Sequence, residues 1–333
     1  MQPLLFRSGV RSTSRWALLL LLTACGTASV YLTVTRPAEI NLSDYRKIAI
    51  ADFESMKGNT SRRADDLADK ITEGLFASQA YEVLDRQNLA AILQEHSLGE
   101  SGLIDENTAP QIGKIIGSAA ILFGRIQSAS YSDEVTIQKP YTDKDGKIHN
   151  YQVRRAIYQL SATLKVIDVE TARILAVKTL SATSRASKRA DNKLPAKIDP
   201  NTLYMRCVND ISREFLRMIA PYQVQVRAAF LTDKLLPEVD QAVGLFRAGE
   251  WEDGIAILER VTRKKGLESD VQAKTFYNLG LALISTGRYD EAIEQLKTAL
   301  SLDPTSKRIQ SMILRAKEEK ASAEKLEEQM SEG

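Results

Sequence analysis

The sequence predicts an α/β domain, a mixed sheet with flanking helices, followed by an all-α domain. Over residues 45–225, short apolar runs alternate with amphipathic helical stretches, and strands then follow one another directly. From about residue 235 the apolar residues repeat with helical spacing throughout. A chain of 333 residues has room for two or three domains of ordinary size.

The composition argues against several classes of function. Lys and Arg number 45 and Asp and Glu number 43, so the formal net charge is only +2. Proteins that bind nucleic-acid phosphates need a strong basic excess, and we therefore expect no nucleic-acid partner. The chain has two Cys and two His, none of them close together in sequence. Neither a Cys/His metal site nor a disulfide framework is expected.

The first 25 residues have the features of a lipoprotein signal. Basic residues precede the apolar run 16–22, which is shorter than the ~20 residues of a membrane-spanning helix. The run ends in Leu-Thr-Ala-Cys at residues 22–25, which resembles a bacterial lipobox. The resemblance implies that residues 1–24 are removed and that acylated Cys25 anchors the chain at the periplasmic face of the outer membrane. An ordinary secretory signal with a chance Cys is the alternative.

A polar tether at residues 25–44 is predicted to precede the sheet domain. We predict a helix that is capped by Thr60 or Ser61, and a chain reversal at Asp145-Gly146 within an excursion over 131–156. The other predicted strands and helices are 47–53, 81–84, 86–96, 108–116, 119–130, 157–168, 173–184 and 201–219. Residues 185–200 are polar and basic and predict a solvated loop, with contact to lipid phosphates or an acidic partner as the alternative.

The helical part contains an internal repeat. Within residues 273–304, large apolar residues, Gly280, Gly287 and Ala292 lie at the spacing of a tetratricopeptide repeat. A weaker copy lies around Gly249. We predict two such repeats over residues 235–304, followed by a capping helix and a polar tail over residues 305–333. A plain pair of helical hairpins is the alternative.

A partner-binding groove follows from this resemblance, because the first helix of each repeat lines a concave surface. The groove residues are Val239, Val243, Phe246, Lys274, Tyr277, Leu281 and Ile284. Two repeats are fewer than the three or so that make a stable array, so another element must cover this mostly apolar surface. We expect envelope or exported proteins to bind there. Docking of the 305–330 helix or of the sheet domain is the alternative.

The order of features over residues 45–220 resembles the curli-secretion lipoprotein family, the CsgG-like domain. The resemblance is carried by the lipobox Cys25 and by the runs 48–53, 81–86, 115–126 and 164–175. It implies a periplasmic mixed-sheet domain at the outer membrane, often oligomeric. Penicillin-binding-protein activator lipoproteins look similar in fold, so the fold alone does not choose between export and cell-wall roles.

No catalytic residues are predicted. The chain has neither a Gly-x-x-x-x-Gly-Lys phosphate loop nor a Gly-x-Ser-x-Gly elbow, and His96 and His149 lack triad partners nearby. We predict a protein without enzymatic activity or cofactor, which binds and scaffolds in the export or assembly of envelope or extracellular material. A subunit of an oligomeric outer-membrane secretion channel and an activator of a cell-wall synthase are the alternatives.

Overall fold

The computed structural model separates the chain into two compact units. The described residues are 26–56, 61–84, 119–138 and 140–331. The sheet unit contains the described residues of 32–226 and 315–331, and the repeat unit contains residues 26–31 and 227–314. The predicted signal peptide, Cys25 and the helices at 86–96 and 108–116 lie outside the described residues.

The sheet unit is built on a five-stranded mixed sheet. The strands of the described chain are β1 (Gly26–Arg36), β2 (Lys47–Ile50), β3 (Glu82–Leu84), β4 (Ala119–Ile137), β5 (Tyr141–Thr142), β6 (Ile148–His149), β7 (Tyr151–Asp168), β8 (Ile174–Asp191) and β9 (Tyr222–Thr232). The sheet order is β3-β2-β4-β7-β8, with β2 parallel to both neighbours and β7 antiparallel to β4 and β8. Strands β5 and β6 form a small hairpin, and β1 pairs with β9.

Two helices cover one face of this sheet, α1 (Arg62–Ser78) and α2 (Pro200–Ile219). The hydroxyl of Ser61 caps α1 by accepting a hydrogen bond from the N–H of Ala64, and Asp199 caps α2. The apolar stripes of both helices are buried against the sheet in a single core. The mixed-sheet prediction and the positions of both helices are confirmed.

Three strand predictions need correction. Strands β4, β7 and β8 have 19, 18 and 18 residues, so half of the predicted excursion at 131–156 and the first part of the predicted loop at 185–200 are extended sheet. Polar residues made the segment at 185–200 look like a loop, although one face of an antiparallel sheet can be solvated. The reversal at Asp145-Gly146 is confirmed, since Gly146 has a φ of 78° and its N–H donates to the carbonyl of Asp143.

The predicted tether at 25–44 is wrong over its described part. Residues 26–36 form β1, which pairs with β9, and Ala38 and Leu42 are buried. The run from 30 to 35 is rich in β-branched residues, which favour strands. No strand was predicted at β9.

The repeat unit consists of paired helices. They are α3 (Pro237–Ala248), α4 (Trp251–Thr262), α5 (Ser269–Ser285), α6 (Tyr289–Leu302) and the first part of α7 (Lys307–Ser331). Gly287, with a φ of 80°, forms the turn between α5 and α6. A Cβ on Gly280 would lie 2.7 Å from Leu296 Cγ, so a glycine lets these two helices touch. No described helix is long and apolar enough to cross a membrane.

The predicted polar tail is instead a docked helix. Residues 315–331 of α7 belong to the sheet unit, where Glu319 accepts a hydrogen bond of 2.7 Å from Arg36. The Gln329 amide accepts from the N–H of Ala38 at 2.9 Å and donates to its carbonyl at 3.1 Å. Burial raises the pKa of Glu319, but Arg36 and Arg315 lower it by more, so this pKa lies below its ordinary value. The polar side chains of this segment are therefore paired with backbone groups and with charged side chains.

Candidate functional site

The structure brings the predicted groove residues together on α3 and α5 of the repeat unit. All six apolar members are buried, none of them more than 7% exposed. These members are Val239, Val243, Phe246, Tyr277, Leu281 and Ile284. The seventh, Lys274, forms an ion pair of 2.8 Å with Asp233. This surface is therefore not open in the described chain.

Strand β9 and the turn after it contact the groove. The ring of Phe230 stacks on that of Phe246 with centroids 5.0 Å apart. The Asn278 side chain accepts from the N–H of Leu231 and donates to its carbonyl, both at 2.8 Å. These two hydrogen bonds add paired polar groups to the apolar contact between Phe230 and Phe246. Strand β9 therefore contacts Phe246 on α3 and Asn278 on α5.

An extended arm of the sheet unit presents many exposed side chains. We define the arm as the described residues of 128–161 and 181–199. Its inner face is closed by the segment after β8, because the buried Arg154 donates to the carbonyl of Pro195 at 3.1 Å and pairs with Asp133 at 2.6 Å. The hydroxyl of Tyr131 donates to the carbonyl of Ile198 in the same segment. The arm is therefore an ordered element.

The outer face of the arm is polar and open. Strand register aligns small polar side chains in rows across β4, β7 and β8. The rows are Ser128, Ser161 and Ser181, and Ser130, Gln159 and Thr183. The hydroxyls of Ser181 and Ser161 lie 3.0 Å apart and hydrogen bond to each other. Such a face suits contacts with another polar surface and is not an apolar core face.

The free end of the arm combines exposed apolar and basic side chains. Ile137, Ile148 and Leu194 are 75%, 62% and 64% exposed. The exposed cations nearby in the chain are Lys144, Lys147, Arg185, Lys188, Arg189, Lys193 and Lys197. A surface of this composition fits a partner with both apolar and anionic groups.

A ring cluster fixes this end. His149 Nε2 lies 2.7 Å from Asp143 Oδ2, and Tyr141 stacks on the His149 ring at 5.0 Å. The guanidinium of Arg189 lies 3.7 Å from the centroid of the Tyr151 ring. Hydrogen bonds from His149 and from the backbone of Lys147 hold the pKa of Asp143 below its ordinary value.

Neither a metal centre nor a reactive thiol emerges in the described chain. Among the described residues, no group of three or more His, Cys, Asp or Glu is arranged to hold a metal ion. Cys207 is fully buried on α2, 3.6 Å from the carbonyl of Tyr158, and burial raises the pKa of its thiol. Its position is that of a small core residue.

Two family models match the chain. Residues 33–193 match the model described as the curli production assembly/transport component CsgG, and residues 273–306 match a tetratricopeptide repeat. Neither description names a catalytic activity. No curated protein matches the chain.

Several solved structures are similar at low identity. A PelC dodecamer from Paraburkholderia phytofirmans is 10% identical, with 55% of this chain and 94% of that chain covered and a TM-score of 0.27. Lipoprotein GNA1162 from Neisseria meningitidis is 13% identical, with coverages of 51% and 96% and a TM-score of 0.25. The LpoB C-terminal domain from Salmonella enterica is 11% identical, with coverages of 44% and 84% and a TM-score of 0.27. At these TM-scores the likenesses support no argument about assembly or function.

The two family matches fall where the sequence resemblance placed a sheet domain and a helical repeat, and they confirm it. The chain carries a CsgG-family domain at residues 33–193 and a tetratricopeptide repeat at residues 273–306.

Proposed function

We propose that the protein is a lipid-anchored envelope component at the periplasmic face of the outer membrane. It binds and scaffolds in the export or assembly of envelope or extracellular material, and it is not an enzyme. The observation that carries this proposal is the CsgG match over residues 33–193, because that model describes an assembly and transport component.

The arm supplies the binding surface in this proposal. Among the described strands, β8 pairs only with β7, so its other edge of 18 residues is available to another strand. The polar rows on the outer face and the exposed end extend the same surface. A second copy of this chain is a suitable partner, because the CsgG-like resemblance implies oligomers. The groove residues have no part in the proposal, since they are buried.

The anchor is tested by Cys25→Ser. If Cys25 carries the lipid, the variant stays unprocessed or becomes soluble in the periplasm, whereas the natural chain fractionates with the outer membrane. A Cys25→Ser chain that is still processed and still in the outer-membrane fraction contradicts the lipid anchor.

Assembly is tested by the native mass of the detergent-extracted protein. We expect several copies per particle, and a monomer at all concentrations contradicts the scaffold of repeated subunits. A secretion channel is the second candidate function, favoured by the transport description of the matching family. Reproducible single-channel steps from the purified protein in a planar bilayer distinguish a channel from a scaffold.

A further inference from the structure

Strand β1 leaves no slack between the proposed lipid anchor and the folded chain. The described strand begins at Gly26, directly after Cys25, where a polar tether was expected. Neighbouring Cα atoms of a chain lie about 3.8 Å apart. An acyl anchor on Cys25 therefore holds the start of β1 within one residue of the lipid headgroups.

The start of β1 is packed within the repeat unit. A Cβ on Gly26 would lie 2.6 Å from the Thr232 hydroxyl at the end of β9, so Gly26 touches that strand. Further along β1, Arg227 Nε donates to the Ser29 hydroxyl at 2.8 Å, and the Arg247 guanidinium donates to the Ser29 carbonyl at 3.1 Å. The first residues of β1 are thus tied to β9 and α3, so the repeat unit has little freedom to move away from an anchor at residue 25.

The turn after β9 lies at the same end of the repeat unit as Gly26. Lys234 is exposed, and the side chain of Leu235 is 55% exposed. Between α4 and α5, Lys264 Nζ donates to the carbonyl of Leu235 at 3.0 Å, which brings that segment to the turn. We define the anchor end of the repeat unit as Gly26, residues 232–235 and residues 263–266.

The exposed charges of the anchor end are positive. The carboxylates of Asp233 and Glu238 form ion pairs with lysines, at 2.8 and 3.0 Å. The exposed charged residues of the anchor end are Lys234, Arg263 and Lys265. The next exposed carboxylates along the chain, Asp240 and Glu268, lie outside it. Cations beside an exposed leucine suit the headgroup region of a bilayer, where phosphates lie next to the acyl boundary.

We propose that the anchor end of the repeat unit lies against the phospholipid headgroups, with Leu235 reaching into this layer and the three cations facing lipid phosphates. The proposal rests on the proposed anchor at Cys25 and adds the surface that this anchor holds at the bilayer. A tethered domain could take any orientation, whereas a strand that begins at residue 26 selects the end that meets the membrane. The turn between α3 and α4 lies about 18 Å away, which is the length of the twelve-residue α3.

Fluorescence quenching from a defined anchor tests this orientation. The chain from residue 25 onward is coupled through Cys25 to a maleimide lipid, in vesicles of phosphatidylethanolamine and phosphatidylglycerol that carry a headgroup spin label. Coupling is selective because Cys207, the second cysteine of the chain, is fully buried. The reporter is Leu235→Trp. The matched control is Glu250→Trp, at an exposed position between α3 and α4, and both variants keep the background of Trp251.

The two reporters are expected to respond differently. Leu235→Trp should lose at least twice the fraction of its added fluorescence that Glu250→Trp loses. Equal quenching of the two reporters overturns the proposal, and so does weaker quenching of Leu235→Trp, because the anchor end then faces away from the bilayer. Coupling replaces natural acylation, so these outcomes are independent of the Cys25→Ser fractionation that tests the anchor in cells.

Two further variants separate the short connection from the charges. A linker of twenty Gly and Ser residues between Cys25 and Gly26, with a root-mean-square length of about 25 Å, should lower the quenching of Leu235→Trp at least twofold. Unchanged quenching with the linker shows that the start of β1 does not set the orientation. Lys234→Glu with Lys265→Glu should also lower the quenching at low ionic strength, without changing the melting temperature, since both side chains are exposed. Full quenching in this double variant contradicts the contact with lipid phosphates.

Discussion

The groove of the repeat unit and the arm of the sheet unit both differ from what their sequences predict, but in opposite ways. The groove residues follow the spacing of a binding surface, yet their apolar members are buried, and Phe230 of β9 stacks on Phe246. Much of the arm reads as an excursion and a loop, yet it is ordered sheet that leaves a wide face exposed. The comparison shows that apolar spacing predicts burial without identifying the covering element. Polar composition likewise predicts exposure without excluding a strand.

The largest effect in this comparison is expected for Phe230→Ala. Phe230 is fully buried against the groove, and truncation of a buried Phe costs about 3–5 kcal/mol of unfolding free energy. The matched arm variant Leu194→Ala changes a side chain that is mostly exposed, and should cost less than about 0.5 kcal/mol. Urea unfolding followed by circular dichroism measures both. Equal stability of the two variants contradicts coverage by β9.

Asn278→Ala is expected to have the next largest effect. It removes both hydrogen bonds to the backbone of Leu231 and leaves a buried N–H and carbonyl unpaired, at a cost of about 2–4 kcal/mol. Gln159→Ala on the exposed face of the arm serves as control and should be neutral. Amide hydrogen exchange of Leu231 should accelerate in Asn278→Ala, and unchanged exchange there is incompatible with the pairing.

Acidification should weaken the groove through Asp233. The hydrogen bond from Lys274, and that from the backbone of Leu235, hold the pKa of Asp233 below its ordinary value. A carboxyl whose pKa is lowered in the folded state contributes its full stabilisation of the fold at pH values above its unfolded pKa of about 3.9. This stabilisation is lost as the pH falls through the folded-state pKa. Solvent screening limits the effect to about 1 kcal/mol. The stability difference between the natural chain and Asp233→Asn should therefore shrink from pH 6 to pH 3. A constant difference contradicts this assignment.

The smallest effect on stability is expected at the free end of the arm. Ile137→Ser with Ile148→Ser removes exposed apolar groups, so the unfolding free energy should change by less than about 0.5 kcal/mol. If the arm is the binding surface, the same variant should reduce the native mass of the extracted particles. Leu235→Ser, exposed in the repeat unit, is the control and should leave that mass unchanged. If the particles of the double variant keep the native mass of the natural protein, the free end of the arm is not part of the proposed interface.

The sequence predicts elements whose own side chains repeat with a clear period. The stripe from Ala64 to Leu75 on α1, the apolar run of β2 and the spacing around Gly280 and Gly287 are sufficient to place those elements. Strand β9 was missed because its partner strand, β1, is distant in sequence. A cavity in the sheet unit could not be predicted for the same reason, because its lining comes from segments between 35 and 330.

The three passages of the chain between its units restrict how the protein can be divided. They fall at residues 31–32, 226–227 and 314–315, inside β1, β9 and α7 respectively, rather than in linkers. Domains that are joined by a linker can be separated by one cut, whereas here one cut leaves each unit without a part of its own chain. A fragment of the predicted repeats alone, 235–304, lacks the β9 residues that contact Phe246 and Asn278. Truncation after residue 304 likewise deprives the sheet unit of Glu319 and Gln329. Limited proteolysis of the native chain should accordingly release neither unit as a stable fragment.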